Sequence, residues 1–137
     1  MSQVKKRSNC LISNSLEVFG DKWSLLIVRD LMFKKECTYG DFSKSEEKIA
    51  TNILAARLLS LEENGIISKR PHPDSKAKVL YRLTQKGVDL LPIIAEINLW
   101  AEKYYVVSDE RKAMLAEIHR DKDGFIQKNR DELEPYI

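Results

Sequence analysis

Cysteine and histidine are scarce in this chain, with two of each among 137 residues. Cys10 and Cys37 are far apart, and His72 and His119 fall on different predicted elements. No pair has metal-ligand spacing, so no metal site is expected. There is no phosphate-cradling glycine loop and no nucleophile with an evident base, so neither an enzyme nor a bound cofactor is expected. No apolar run approaches the ~20 residues of a membrane span. The opening stretch, MSQVKKRSNC, is basic but has no long apolar region behind it, so it does not read as a secretory signal. A cytoplasmic protein with reduced thiols and no membrane association is the expectation.

Net charge is only +2, which by itself does not point to nucleic acid. Its distribution says more. Residues 44–86 hold nine Lys or Arg against five acids, whereas residues 106–137 hold six against eight. A basic middle and an acidic end form a modest footprint for a polyanion.

The chain length suits one domain with an appended helix or two. Residues 1–9 read as a flexible arm, 10–105 as the main domain and 106–137 as a C-terminal helical extension. Leu11, Ile12, Leu16, Val18 and Phe19 give a short helical pattern ending at Gly20. Asp21 is placed to cap the next helix, DKWSLLIVRDLMF, which is apolar nearly all round and should be the central buried helix. Thr38 and Tyr39 are read as a short strand, GDFSK as a short helix with Phe42 inward, and SEEK as a turn. Cys37 lies in a polar break, and Ile49 fills the gap to the following helix.

That helix, Ala50 to Asn64, is the element around which the chain is organised. Ala50, Leu54, Leu58 and Leu61 form its inner stripe. Thr51, Asn52, Ala55, Ala56 and Glu63 fall on the other side, with no acid near the N-terminal end. Small side chains let a helix approach base edges, Asn pairs with adenine, and methyl groups touch thymine methyls. Leu59 also falls outward and calls for a covering neighbour. Gly65 stops the helix. A hairpin follows, with Lys69 and Arg70 on the outgoing strand, PHPDSKAK as a stiff tip, and VLYRL returning. Arg70, His72, Lys76 and Lys78 place positive charge where a phosphate or minor groove would lie.

Thr84 caps a helix whose apolar residues run from Val88 through Leu91, Ile94, Ile97, Trp100 and Tyr104, with a bend at Pro92. This apolar surface exceeds what so small a domain covers, which implies a subunit interface. Ser108 caps a last helix with Met114, Leu115 and Ile118, and the tail from Asp121 is read as a loop and a short helix.

The linked series GDKWSLLIVRDL, TYGDFSK, IATNILAARLLSLEENGIISKR, VLYRLTQKG and Trp100, preceded by Cys10, resembles the HxlR-type winged helix-turn-helix regulators, relatives of the MarR group. The likeness runs from about Cys10 to Tyr105. It implies a mainly α fold with a small β hairpin (α+β), a homodimer built by the N- and C-terminal helices, and transcriptional regulation through a near-palindromic operator in double-stranded DNA. On that likeness Thr51, Asn52, Ala55, Ala56 and Arg57 belong to the recognition helix. Thr38, Lys69, Arg70, His72, Lys76 and Lys78 belong to the wing and backbone contacts, and Leu11, Leu16, Ile97, Trp100 and Tyr104 to the dimer interface. Some members sense oxidants or electrophiles through an N-terminal cysteine, and Cys10 sits at that position. Two departures stand out: Asp21 occurs where a second glycine is frequent, and Leu59 where a basic residue is common.

Two readings of Cys10 stay open. Lys5, Lys6 and Arg7 would favour its thiolate and make it a redox sensor, with Cys37 as a candidate resolving partner. Alternatively it is a small residue packed at a helix start. The runner-up function is a protein-binding winged-helix module without DNA contact. It calls for acidic or bulky apolar residues around Thr51, and only Leu59 speaks for it.

Overall fold

The computed structural model describes residues 8–137; the basic residues Lys5, Lys6 and Arg7, and most of the 1–9 arm, lie outside them. Helices α1 (Leu11–Phe19), α2 (Ser24–Lys34), α3 (Tyr39–Ser43) and α4 (Thr51–Glu63) lead into a two-stranded antiparallel hairpin, β1 (Ile67–His72) and β2 (Ser75–Leu83). Helices α5 (Gln85–Val88), α6 (Leu91–Ala101), α7 (Asp109–Arg120) and α8 (Lys122–Leu133) follow, and a 3-10 turn closes the chain. The α+β architecture is the one expected.

Helix α2 runs through the core. Its start is capped by Asp21, whose carboxylate accepts from the Trp23 and Ser24 amides at 2.9 and 3.0 Å and from the Ser24 hydroxyl at 2.5 Å. Ile27, Val28, Leu31 and Met32 are buried, but Phe33 is exposed, so the helix is central without being enclosed on every side. Phe42 and Ile49 fill the positions assigned to them. Leu54, Leu58 and Leu61 hold α4 on this core, while Ala50, taken as part of the inner stripe, is exposed. It precedes the first helical residue in an extended conformation, so its methyl group points off the stripe. Gly65 then takes a φ of 73°, the left-handed geometry that glycine adopts without strain.

Several expectations are corrected. Thr38 and Tyr39 do not form a strand. Thr38 caps α3 in a capping box with Asp41, and the strand-like contact falls one residue earlier, where Cys37 exchanges backbone hydrogen bonds with Tyr81 at 3.1 and 2.8 Å. Cys37 is therefore buried rather than in a polar loop. The helix expected from Thr84 to Tyr104 is two helices rather than one bent helix: α5 ends at Val88, and Pro92 stands in the first turn of α6, where its missing N–H costs nothing. Gly87 is needed there, because a Cβ would sit 2.3 Å from the Ile66 carbonyl oxygen. Ser108 precedes α7 but makes no side-chain cap. The tail has no loop. Asp121 ends α7 and immediately caps α8 through the Gly124 amide at 3.0 Å, and Ile118, Phe125 and Leu133 join the same core as α2 and α4.

Candidate nucleic-acid interface

Helix α4 presents the face on which the functional reading rests. Thr51, Asn52, Ala55 and Ala56 are all exposed. Leu59 is 56% exposed and no neighbouring element covers it. Arg57 is half-buried, with its guanidinium 3.5 Å from the Asp21 carboxylate. Burial alone would raise the Asp21 pKa, but hydrogen bonds from Ser24 and Trp23 and the charge of Arg57 outweigh it, and the net direction is down.

Two further contacts, which no sequence pattern announces, aim this helix. The Tyr39 hydroxyl donates to the Thr51 carbonyl oxygen at 2.5 Å, tying α3 to the first turn of α4. Arg29 of α2 makes a two-pronged pair with Glu47 in the α3–α4 turn, at 2.9 and 2.8 Å. The hydrogen bond from Arg29 holds the Glu47 carboxyl at a pKa of about 2, against an opposing effect of burial. The SEEK segment thus serves as more than a connection. Its two acids gave a composition signal, but the partner 18 residues away did not.

The hairpin is tighter at its tip than the sequence suggests. His72 pairs with Ser75 across a turn of Pro73 and Asp74, and His72 Nδ1 accepts from the Asp74 amide at 3.0 Å. The register slips between Pro71 and His72, so residues 76–78 bulge at the start of β2 instead of belonging to a long loop. Cross-strand pairing places Arg70 beside Leu80. Among the described residues, Arg70, Lys76 and Lys78 have no ion-pair partner. Lys69 points to the other face and reaches Glu62 of α4 at 3.7 Å. Thr38 is half-buried, and its hydroxyl already accepts from the Asp41 amide at 3.2 Å. The structure therefore leaves Thr51, Asn52, Ala55 and Ala56 exposed on α4 and, among the described residues, Arg70, Lys76 and Lys78 without an ion-pair partner on the wing, while Thr38, Arg57, Lys69 and His72 have contacts within the fold.

Large apolar side chains are exposed elsewhere, on two helices. Leu11, Ile12 and Leu16 on α1, and Ile93, Ile97 and Trp100 on α6, are exposed, with Tyr104 just beyond α6. Trp100 and Tyr104 stack against each other in a tilted geometry, ring centroids 5.3 Å apart. Cys10 is exposed and directly precedes α1. Cys37 differs: burial pushes its thiol pKa up to about 12. Among the described residues no group of His, Cys, Asp or Glu could hold a metal ion, and no helix is long and apolar enough to cross a membrane.

A short helix, a turn, a core-braced second helix with an exposed face and an adjoining hairpin define a winged helix-turn-helix protein. The chain belongs to the HxlR-like helix-turn-helix family, whose model matches residues 18–109. It is 32% identical over 95 residues to YdeP of Bacillus subtilis, an HTH-type transcriptional regulator, covering 69% of this chain and 73% of YdeP. Among solved structures it is similar to PA1607, a candidate transcription factor, with 42% identity, a TM-score of 0.65 and coverage of 75% and 70% of the two chains. It is also similar to the oxidised form of the redox regulator HypR, with 27% identity, a TM-score of 0.63 and coverage of 72% and 100%. The protein is thus a helix-turn-helix transcriptional regulator of a DNA-binding, dimer-forming family, not an enzyme. Residues 110–137 lie beyond the family match.

Proposed function

We propose that the protein regulates transcription in the cytoplasm as a homodimer on a near-palindromic operator. Helix α4 enters the major groove through Thr51, Asn52, Ala55 and Ala56. Arg70, His72, Lys76 and Lys78 of the wing lie along the backbone or minor groove. The observation that carries this reading is the pairing of two features: the exposed small and amide side chains of Thr51, Asn52, Ala55 and Ala56 on α4, and a wing on which Arg70, Lys76 and Lys78 have no ion-pair partner among the described residues. Leu11, Leu16, Ile97, Trp100 and Tyr104 meet their copies in the partner subunit. Residues 10–105 carry both functions, and 106–137 extend them.

The test is fluorescence anisotropy with the chain's own upstream intergenic duplex and a scrambled one, over a series of salt concentrations. At least a hundredfold preference and a steep salt slope are expected. Asn52→Ala should relax specificity at one base per half-site at a cost of about 1–3 kcal/mol. Lys76→Ala should weaken binding to all duplexes alike and lower the salt slope by about 1 for each phosphate that is no longer neutralised. Unchanged base preference in N52A would displace α4 from the groove.

A thiol response is a second part of the proposal. The exposure of Cys10 supports it, as does the likeness to HypR, described as a redox regulator. The effector would be an oxidant or electrophile that reaches Cys10. Loss of operator binding on oxidation, absent in C10S, is the expected result. Retained sensitivity in C10S would remove Cys10 from this role.

A further inference from the structure

The exposed face of α4 has one feature that bears on which bases it reads. Its centre carries no free cation. The buried residues Leu54, Leu58 and Leu61 fix the inward direction. At 100° per residue, the opposite line then runs through Asn52, Ala56, Leu59 and Glu63. Arg57 is the only Lys or Arg of the helix. It stands roughly 110° away from that line, leaning toward α2, where the Asp21 carboxylate lies 3.5 Å from its guanidinium. Asp21 is itself held in place by the Trp23 and Ser24 amides and the Ser24 hydroxyl.

Guanine is most often read by a bidentate Arg or Lys, adenine by Asn or Gln, and thymine by apolar contact with its methyl group. Resting on the DNA-binding reading above, we propose that α4 reads A·T base pairs, with Asn52 on adenine and Leu59 and Ala56 on thymine methyls. In this arrangement Asp21 is a positioning residue that holds Arg57 at the side of α4, away from the DNA backbone. With leucine at position 59 and Arg57 held by Asp21, the outward face of α4 has no side chain suited to guanine. Asn52 to Leu59 spans seven residues, about 10 Å of helix, or about three base-pair steps. The unpaired Arg70, Lys76 and Lys78 of the wing supply the attraction to phosphate that the helix lacks.

The test is selection of high-affinity duplexes from a randomised library with the full-length protein, followed by replacement of the selected thymines with deoxyuridine. Deoxyuridine keeps every hydrogen bond and removes only the methyl. Half-site cores rich in A·T are expected, with about a fourfold affinity loss per contacted methyl. Leu59→Ala should lose the discrimination at the thymine that Leu59 contacts and keep it at the thymine that Ala56 contacts. Asp21→Asn keeps the helix cap, since Asn caps as well as Asp. It should raise affinity for unselected duplexes and steepen the salt slope by up to about 2 per dimer as two Arg57 side chains reach phosphate. Guanine at the core positions, or equal binding of thymine and deoxyuridine duplexes by the wild type, would overturn the proposal while leaving specific DNA binding intact. Failure to select any duplex would overturn both.

Discussion

Helices α4 and α6 each leave one side uncovered, but they fill that side differently. On α4 it is Asn52, Ala56 and Leu59, flanked by Thr51 and Ala55; on α6 it is Ile93, Ile97 and Trp100, with Tyr104 beyond the helix end. Trp100 is 61% exposed and Tyr104 70%. Apart from Leu59, small side chains and one amide leave the helix backbone approachable, which suits a groove whose floor is a pattern of donors, acceptors and methyl groups. Large aromatic side chains bury much area when they meet a packed surface, and exposed to water they are a liability. On the proposed reading, the same α-helical geometry serves two partners, a nucleic acid and a second copy of the chain, with side chains of different size on the two exposed faces.

The two thiols give the sharpest separation of these regions. Cys10 belongs to the α1 side and is exposed; Cys37 lies under the helix-turn-helix, with its thiol pKa pushed up to about 12 by burial. Near neutral pH its thiolate fraction is roughly a thousandfold below that of an ordinary thiol of pKa about 8.5. Alkylation with iodoacetamide followed by peptide mass spectrometry should label Cys10 and leave Cys37 unmodified in the folded protein. Comparable rates at both positions would show that the helix-turn-helix side opens readily. It would also restore Cys37 as a resolving partner, a role its burial argues against.

Trp100→Ala tests the α6 side. A central aromatic at an interface contributes about 2 kcal/mol per copy, so a symmetric dimer should lose roughly a thousandfold in its dissociation constant. Analytical ultracentrifugation over a concentration series measures this, and each protomer should keep its helical content. An unchanged sedimentation profile would remove Trp100 from the interface. Leu54→Ala tests the buried side of α4. This side chain is fully buried, and its truncation should cost about 3 kcal/mol in chemical denaturation. Ala56→Ser, on the opposite side of the same helix, should leave stability within about 0.5 kcal/mol and change only DNA binding. If both variants destabilise alike, the inward and outward assignment of α4 fails.

Much of this division was legible in the sequence. The 3.6-residue spacing of Leu54, Leu58 and Leu61 and the stop at Gly65 placed α4 and its faces, because both signals are local. What escaped depended on partners far away in the chain. The burial of Cys37 follows from its pairing with Tyr81, which no nearby residue announces. The break between α5 and α6 follows from Gly87 packing on the Ile66 carbonyl, so Pro92 starts a new helix instead of bending an old one. The tail read as a loop and a short helix because α8 is mostly polar. Its order comes from Phe125 and Leu133 entering a core built by other elements, and from Tyr136 lying 5.3 Å from the Arg82 guanidinium at the base of the wing. The ion pairs that aim α4, Arg29 with Glu47 and Arg57 with Asp21, were likewise invisible. Their acids could be seen as charges, but not as contacts.

The smallest expected effect concerns the pair that aims α4 without touching either exposed face. The Arg29 hydrogen bond holds Glu47 near a pKa of about 2, below its ordinary 4.5. A carboxyl group whose pKa is lower folded than unfolded adds stability above the unfolded value and loses it as pH falls through the folded one. The window for this pair is therefore pH 4.5 down to about 2. Glu47 is 31% exposed, so solvent screening reduces the contribution to about 1 kcal/mol. Glu47→Gln should accordingly lower stability by about 1 kcal/mol at pH 6 and make no difference near pH 2, read as urea midpoints of wild type and variant across the window. Because the pair connects α2 to the turn before α4, the variant should also weaken operator binding at pH 6 while leaving the dimer dissociation constant unchanged. A variant whose stability runs parallel to wild type at every pH would mean that the pair contributes nothing, and that Tyr39 and the leucine stripe alone set the direction of α4.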